Sequence, residues 1–87
     1  MSTPVDPETQ AIAARMIADQ IRDEWVKIGT TADCRAIVHY HEGTDGWEAW
    51  PARDDLTVKD RRAFVTAVNR VIHHHKMPIK VKLAPRL

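Results

Sequence analysis

"CRAIVHYHEGTDGWEAWPA", residues 34–52, decides how this chain folds. Its first half alternates β-branched or aromatic residues with polar ones. That period of two marks a half-buried strand. Ala36, Val38 and Tyr40 fall on one face, and Arg35, Ile37, His39 and His41 on the other. "EGTDG" is a turn, in which Asp45-Gly46 supplies the positive φ angles of a tight hairpin loop. "WEAWPA" is the returning strand, and Pro51 ends its pairing or marks a sheet edge.

Trp47 and Trp50 stand an odd number of residues apart, so a regular strand sends them to opposite faces. Glu48 shares a face with Trp50, and a carboxylate prefers water. The expectation is Trp47 and Ala49 inward, with Glu48 and Trp50 outward.

Upstream, Asp6-Pro7-Glu8 reads as a helix start: a cap, a proline at the first helical position and an acid at the positive helix end. Ala14, Ile17, Ile21, Trp25 and Ile28 then recur at spacings of 3, 4, 4 and 3, one apolar face of a helix that Gly29 stops. Thr30 to Asp33 is a connection.

Downstream, Thr57-Val58-Lys59-Asp60 resembles a capping box with Asp in place of Glu. Phe64, Val65, Val68, Val71 and Ile72, with His75 leaning inward, trace a second amphipathic helix. Pro78 prevents that helix from continuing. "IKVKLAP", residues 79–85, alternates again, with Ile79, Val81 and Leu83 inward and Lys80 and Lys82 outward.

The order is α-β-β-α-β. The simplest assembly is an α+β domain: a three-stranded sheet with both helices on one face. The 87 residues suit a single domain, 1–87, with 1–5 and 85–87 flexible at its ends. A chain this short hides only about 60–65% of its unfolded surface, so a deep enclosed active site is hard to build.

The single cysteine, Cys34, excludes an internal disulfide and favours a reducing compartment. No signal sequence opens the chain, and no apolar run approaches the roughly 20 residues that cross a bilayer. A cytoplasmic protein is expected.

Net charge is +1, but it is segregated. Residues 1–33 carry three basic and six acidic side chains (−3), residues 34–56 two and five (−3), and residues 57–87 eight and one (+7). Such segregation points to a polyanionic or acidic partner, or to neutralisation of the acidic helix by the basic block within the fold.

The histidines do not spell a metal site. His39 and His41 share a strand face about 6.6 Å apart along the chain. Glu42 and Cys34 fall on the opposite face, so third and fourth ligands are lacking. His73, His74 and His75 each turn about 100° from the last on a helix and cannot grip one ion together. They suit a helix C-terminus, where a protonated ring meets the negative end of the dipole. No cofactor is expected.

Catalysis has the weakest support. Cys34 with His39 or His41 would be a nucleophile pair, but the odd spacing separates them. The sequence carries no Gly-rich phosphate loop, paired-carboxylate site or nucleophile elbow. Asp54-Asp55 reads as charge complement to the start of the second helix.

Two functions of different class are expected. The first is a non-enzymatic protein that docks on a larger protein as an inhibitor or adaptor, by analogy with phage or mobile-element antagonists. Its contact residues would be Arg35, His39, His41, Glu48, Trp50, Lys80 and Lys82, an aromatic among cations on the uncovered sheet face. The alternative reading of Trp50 packs it beneath residues 51–56 as a small satellite core. The second function is nucleic-acid binding through Arg61, Arg62, Arg70, Lys76, Lys80, Lys82 and Arg86. Homodimerisation is a further expectation, through the edge of the third strand or of the Pro51-containing strand.

Overall fold

A computed structural model describes residues 7–29, 34–41, 46–53 and 55–82. The elements run α1 (Pro7–Ile28), β1 (Ala36–His41), β2 (Gly46–Pro51), α2 (Val58–His75) and β3 (Ile79–Val81). This is the α+β order read from the sequence.

Helix α1 begins at Pro7, where the missing N–H costs nothing. It buries Ile17, Ile21 and Trp25. Its end depends on packing rather than on a left-handed residue, since no described glycine has positive φ. Instead, Gly29 donates its N–H to the Trp25 carbonyl at 2.6 Å and leaves room for the Trp25 indole.

Helix α2 opens as expected. Thr57 Oγ1 accepts the Asp60 N–H at 3.2 Å and donates to Asp60 Oδ2 at 3.0 Å. Asp60 is buried there, and the reciprocal bond answers part of its polarity. Asp55 complements α2 less directly than expected. Its carboxylate is held by Arg53 through Nε–H to Oδ1 at 2.9 Å and Nη2–H to Oδ2 at 2.8 Å. Asp54 lies outside the described residues.

The helix ends on Lys76, which caps it at φ 54° and ψ 42°. All three histidines before it are exposed, so His75 does not lean on the core. Ile72 and Met77 pack there instead. An apolar residue just past the helix is cheaper to bury than an imidazole.

The sheet order is β1-β2-β3. β1 and β2 pair antiparallel, and β2 and β3 pair parallel through α2. The strand that carries Pro51 is therefore central, which corrects its reading as a sheet edge. The edges are β1 and β3. Pro51 is tolerated because it is the last residue of β2, beyond the β3 ladder, which ends at Ala49 opposite Val81. Gly46 belongs to β2, paired with His41, rather than to the hairpin loop. β3 spans three residues, shorter than the sequence pattern suggested. Two flanking bonds extend its pairing: Trp47 N–H to the Pro78 carbonyl at 3.0 Å and Lys82 N–H to the Ala49 carbonyl at 2.8 Å. Leu83 and Pro85 lie outside the described residues.

Both helices pack on one another and reach the sheet, α1 against β1 and α2 against β3. Trp25 and Phe64 form the centre of the core. Each is fully buried, and their rings meet edge-on at 5.1 Å. Ile21, Ala67, Val68, Val71, Ala49 and Ile79 complete it, with Ala36, Val38, Trp47 and Val81 packed around it. Burying these side chains supplies the main stabilisation, at about 25 cal/mol per Å² of apolar surface.

Candidate docking surface

The strand register sorts the sheet into two faces. Ala36↔Pro51, Val38↔Ala49↔Val81 and Tyr40↔Trp47↔Ile79 make the inner rows. Tyr40 and Trp47 meet edge-on at 5.0 Å on that side. Their neighbours Ile37↔Trp50 and His39↔Glu48↔Lys80 make the outer rows. Alternation is unbroken through β2, so Trp47 packs against the core while Trp50 does not belong to it.

Exposure follows this division. Arg35, Ile37, His39 and Lys80 are exposed, whereas Glu48, Trp50 and Lys82 are half-buried. His41 is described by its backbone pairing with Gly46 alone. Trp50 on this face is half-buried, and the segment after Pro51 runs on from it toward α2. Its apolar anchor, Leu56, is 8% exposed and belongs to the main core with the helices.

The outer face thus has a definite composition. An apolar pair, Ile37 and Trp50, lies beside a transverse row in which Glu48 stands between His39 and Lys80. Arg35 and Lys82 add positive charge at its margin. His39 and Lys80 are the register neighbours of Glu48 on either side. The face keeps a net positive charge. At one end, Gly46, Trp47, Glu48, Pro78, Ile79 and Lys80 line a shallow depression of about 300 Å³.

The residues considered for nucleic acid do not form one surface. Arg62 shares the outward side of α2 with Thr66, Asn69 and His73, all within about 60° of one another around the helix. Arg61 turns about 100° away. Lys80 and Lys82 belong to the sheet on the other side of the domain, Lys76 caps the far end of α2, and Arg86 lies outside the described residues. Between the helices, Glu24, Thr66, Asn69, Arg70, His73 and His74 line an open depression of about 530 Å³.

Glu24 is the feature that sequence reading missed. From α1 its carboxylate accepts from Lys27 Nζ and from Arg70 Nη1 of α2, each at 3.4 Å. Desolvation against the helix seam pushes its pKa up. The Lys27 ammonium and then the Arg70 guanidinium outweigh that effect, so the carboxyl sits below its usual 4.5. The signal was present as a Glu-to-Lys i,i+3 pair, but the Arg70 partner is 46 residues away.

Cys34 is 4% exposed in the core, while His39 is exposed on the outer face, so the two do not form a catalytic pair. Among the described residues, no group of three or more His, Cys, Asp or Glu side chains is placed to hold a metal ion. No described helix is long and apolar enough to cross a membrane.

Comparison with known proteins finds no matching family model, no matching curated protein and no matching solved structure. What the fold defines is a class: a small two-helix, three-stranded mixed α+β domain with a cationic outer sheet face bearing tryptophan.

Proposed function

We infer that the chain is a non-catalytic binding protein that docks on a larger protein through its outer sheet face, as an inhibitor or adaptor. One observation carries this reading. Ile37 and Trp50 pair on the side of the sheet away from the core, with His39, Glu48 and Lys80 in the adjacent row. Tryptophan and arginine are among the side chains in which binding energy concentrates at protein interfaces. The surplus of positive charge selects a partner with acidic side chains around an apolar anchor. The lone buried cysteine supports action in a reducing compartment, the cytoplasm.

The test is capture on the immobilised protein from lysate, followed by reconstitution with the purified partner. Trp50→Ser and Lys80→Glu, each folded by circular dichroism, should lose the partner, and Thr66→Ala on the opposite side should keep it. Equal retention by all three would end the reading.

The outward side of α2 supports a second reading, nucleic-acid binding, because Asn69, Arg70 and His73 line one depression there, with Arg62 on the same side of the helix as Asn69 and His73. A low-salt gel shift abolished by Arg62→Ala with Arg70→Ala would favour it, with affinity falling steeply as salt rises. No shift at low salt would exclude it.

A further inference from the structure

The two edges of the sheet are protected unequally. Proteins blunt exposed edges with short strands, lysines, prolines or bulges, because a free edge recruits another strand. β3 has three of these devices. It is three residues long, Lys80 is exposed in its middle, and Pro78 stands just before it. β1 has none of them. It runs six residues, Ala36–His41, without lysine or proline, and its register with β2 is unbroken. Ile37, Val38 and Tyr40 are strong strand formers.

The backbone fixes what this edge offers. The Arg35 carbonyl accepts the Ala52 N–H, so Arg35 turns its peptide groups toward β2. By alternation Ile37 and His39 do the same, and Ala36 and Val38 point N–H and C=O away from the sheet. Among the described residues, nothing pairs with the groups of Ala36 and Val38 on that side. The side chains here are also incompletely covered. Ala36 and Val38 pack against the core yet are only half-buried, and Ile37 on the outer face is 37% exposed.

We propose that β1 pairs antiparallel with β1 of a second copy, across a two-fold axis at Ile37, and joins the two sheets into one. In this register Ala36 exchanges both backbone bonds with Val38 of the second copy, and Val38 with its Ala36, so the outward groups of both residues are answered. The two-fold axis makes the strand its own partner, because donors and acceptors match by symmetry. Ile37 then faces Ile37 of the second copy. The outer row reads Trp50, Ile37, Ile37, Trp50 across the dimer, apolar throughout. Sliding the pairing by two residues either way would set Ile37 against His39 or Arg35 and break that row. Arg35 stands opposite His39 of the second copy on the outer face, where both side chains are exposed. The contact is isologous, so association stops at two copies. It goes beyond the docking reading, since it uses the edge of the sheet and leaves Trp50 open on the outer face.

Sedimentation equilibrium of the full chain should show a reversible monomer–dimer equilibrium. Ile37→Lys places the usual edge guard on an exposed position and should weaken the dimer at least about tenfold, with an unchanged circular dichroism spectrum. Ala36→Pro removes an outward N–H but no bond to β2, and should have the same effect. Disulfides read the register. Ile37 lies in a pair without mutual hydrogen bonds, about 4.5 Å between Cα atoms, which a disulfide spans. Ile37→Cys should therefore crosslink into a covalent dimer on mild oxidation. His39→Cys, about 13 Å along the strand from its counterpart, should not. The native Cys34 is buried and does not compete.

A wild-type chain that stays monomeric to about 1 mM, an Ile37→Lys dimer as tight as wild type, or crosslinking through His39→Cys in place of Ile37→Cys would overturn the proposal. Trp50→Ser separates it from the docking reading, because that variant should lose a docked partner and keep the dimer. A monomeric wild type that still captures its partner removes the dimer and leaves docking standing. A dimer that captures nothing does the reverse.

Discussion

Gly29 lies directly against the indole of Trp25: a Cβ built at position 29 would stand 2.7 Å from Trp25 Cδ1 and 2.9 Å from Nε1. The Trp25 carbonyl is as close, at 2.9 Å. Backbone freedom is not the reason for this glycine, because its φ is not positive. The ring is fully buried against Phe64 and cannot retreat. Gly29→Ala should therefore destabilise the fold by about 1–3 kcal/mol through overpacking. Urea denaturation checks it, with a lower midpoint at an unchanged slope expected.

Lys76 presents the opposite case. It is exposed, and it adopts φ 54° at the end of α2, where a side chain is a burden and glycine is the usual occupant. Lys76→Gly should raise stability by about 1 kcal/mol, or ~4–8 °C in Tm for a domain of this size. Lys76→Ala, which keeps the Cβ, should give no such gain. Thermal melts of the three proteins decide the matter.

Glu24 makes the stability pH-dependent. Its folded pKa is lowered from 4.5 by Lys27 and Arg70 against an opposing desolvation. Depressed acids contribute stability that is fully present above their unfolded pKa and lost as pH falls through the folded one. Wild type should therefore lose stability below about pH 4.5 more steeply than Glu24→Gln. At neutral pH the variant should be the less stable, and added salt should narrow the gap because the group is partly exposed. Denaturant midpoints at pH 7 and pH 3 measure both effects.

The three tryptophans should report separately by fluorescence. Trp25 is fully buried, whereas Trp47 and Trp50 are half-buried on opposite faces of β2. Trp50→Phe should reduce the acrylamide-quenchable, red-shifted part of the emission, leaving the share of Trp47. Trp25→Phe should remove the blue-shifted part and lower stability, since a smaller ring leaves space beside Phe64. Quenching unchanged by Trp50→Phe would show that the outer face is shielded.

Local patterns made most of this fold legible. The spacing of four from Ile17 to Ile21 to Trp25, the Thr57–Asp60 cap and the period of two in β1 are written within a few residues. They survive in the structure because core burial reinforces each of them. Strand order was not legible. Nothing near Pro51 says that a segment more than two dozen residues later will pair on its other side. Periodicity placed His75 inward, whereas it is exposed and Met77, beyond the helix, packs against the core. The outer rows could be listed by alternation, but the alignment of Glu48 with both His39 and Lys80 required the register. The Glu24–Arg70 contact was hidden for the same reason: it joins two helices through tertiary packing.

The brevity of β3 has a dynamic consequence. Its ladder with β2 is three residues long, and its pairing Trp47↔Ile79 spans 32 positions of chain, against seven for Tyr40↔Trp47 in the hairpin. Such a strand detaches at lower free energy than the body of the domain, and its amides should exchange with deuterium first. Lys80 and Lys82 travel with it. A ligand that grips those lysines together with Ile37 would fasten the most labile strand to the rest, so occupancy of the face and closure of the sheet become thermodynamically linked events.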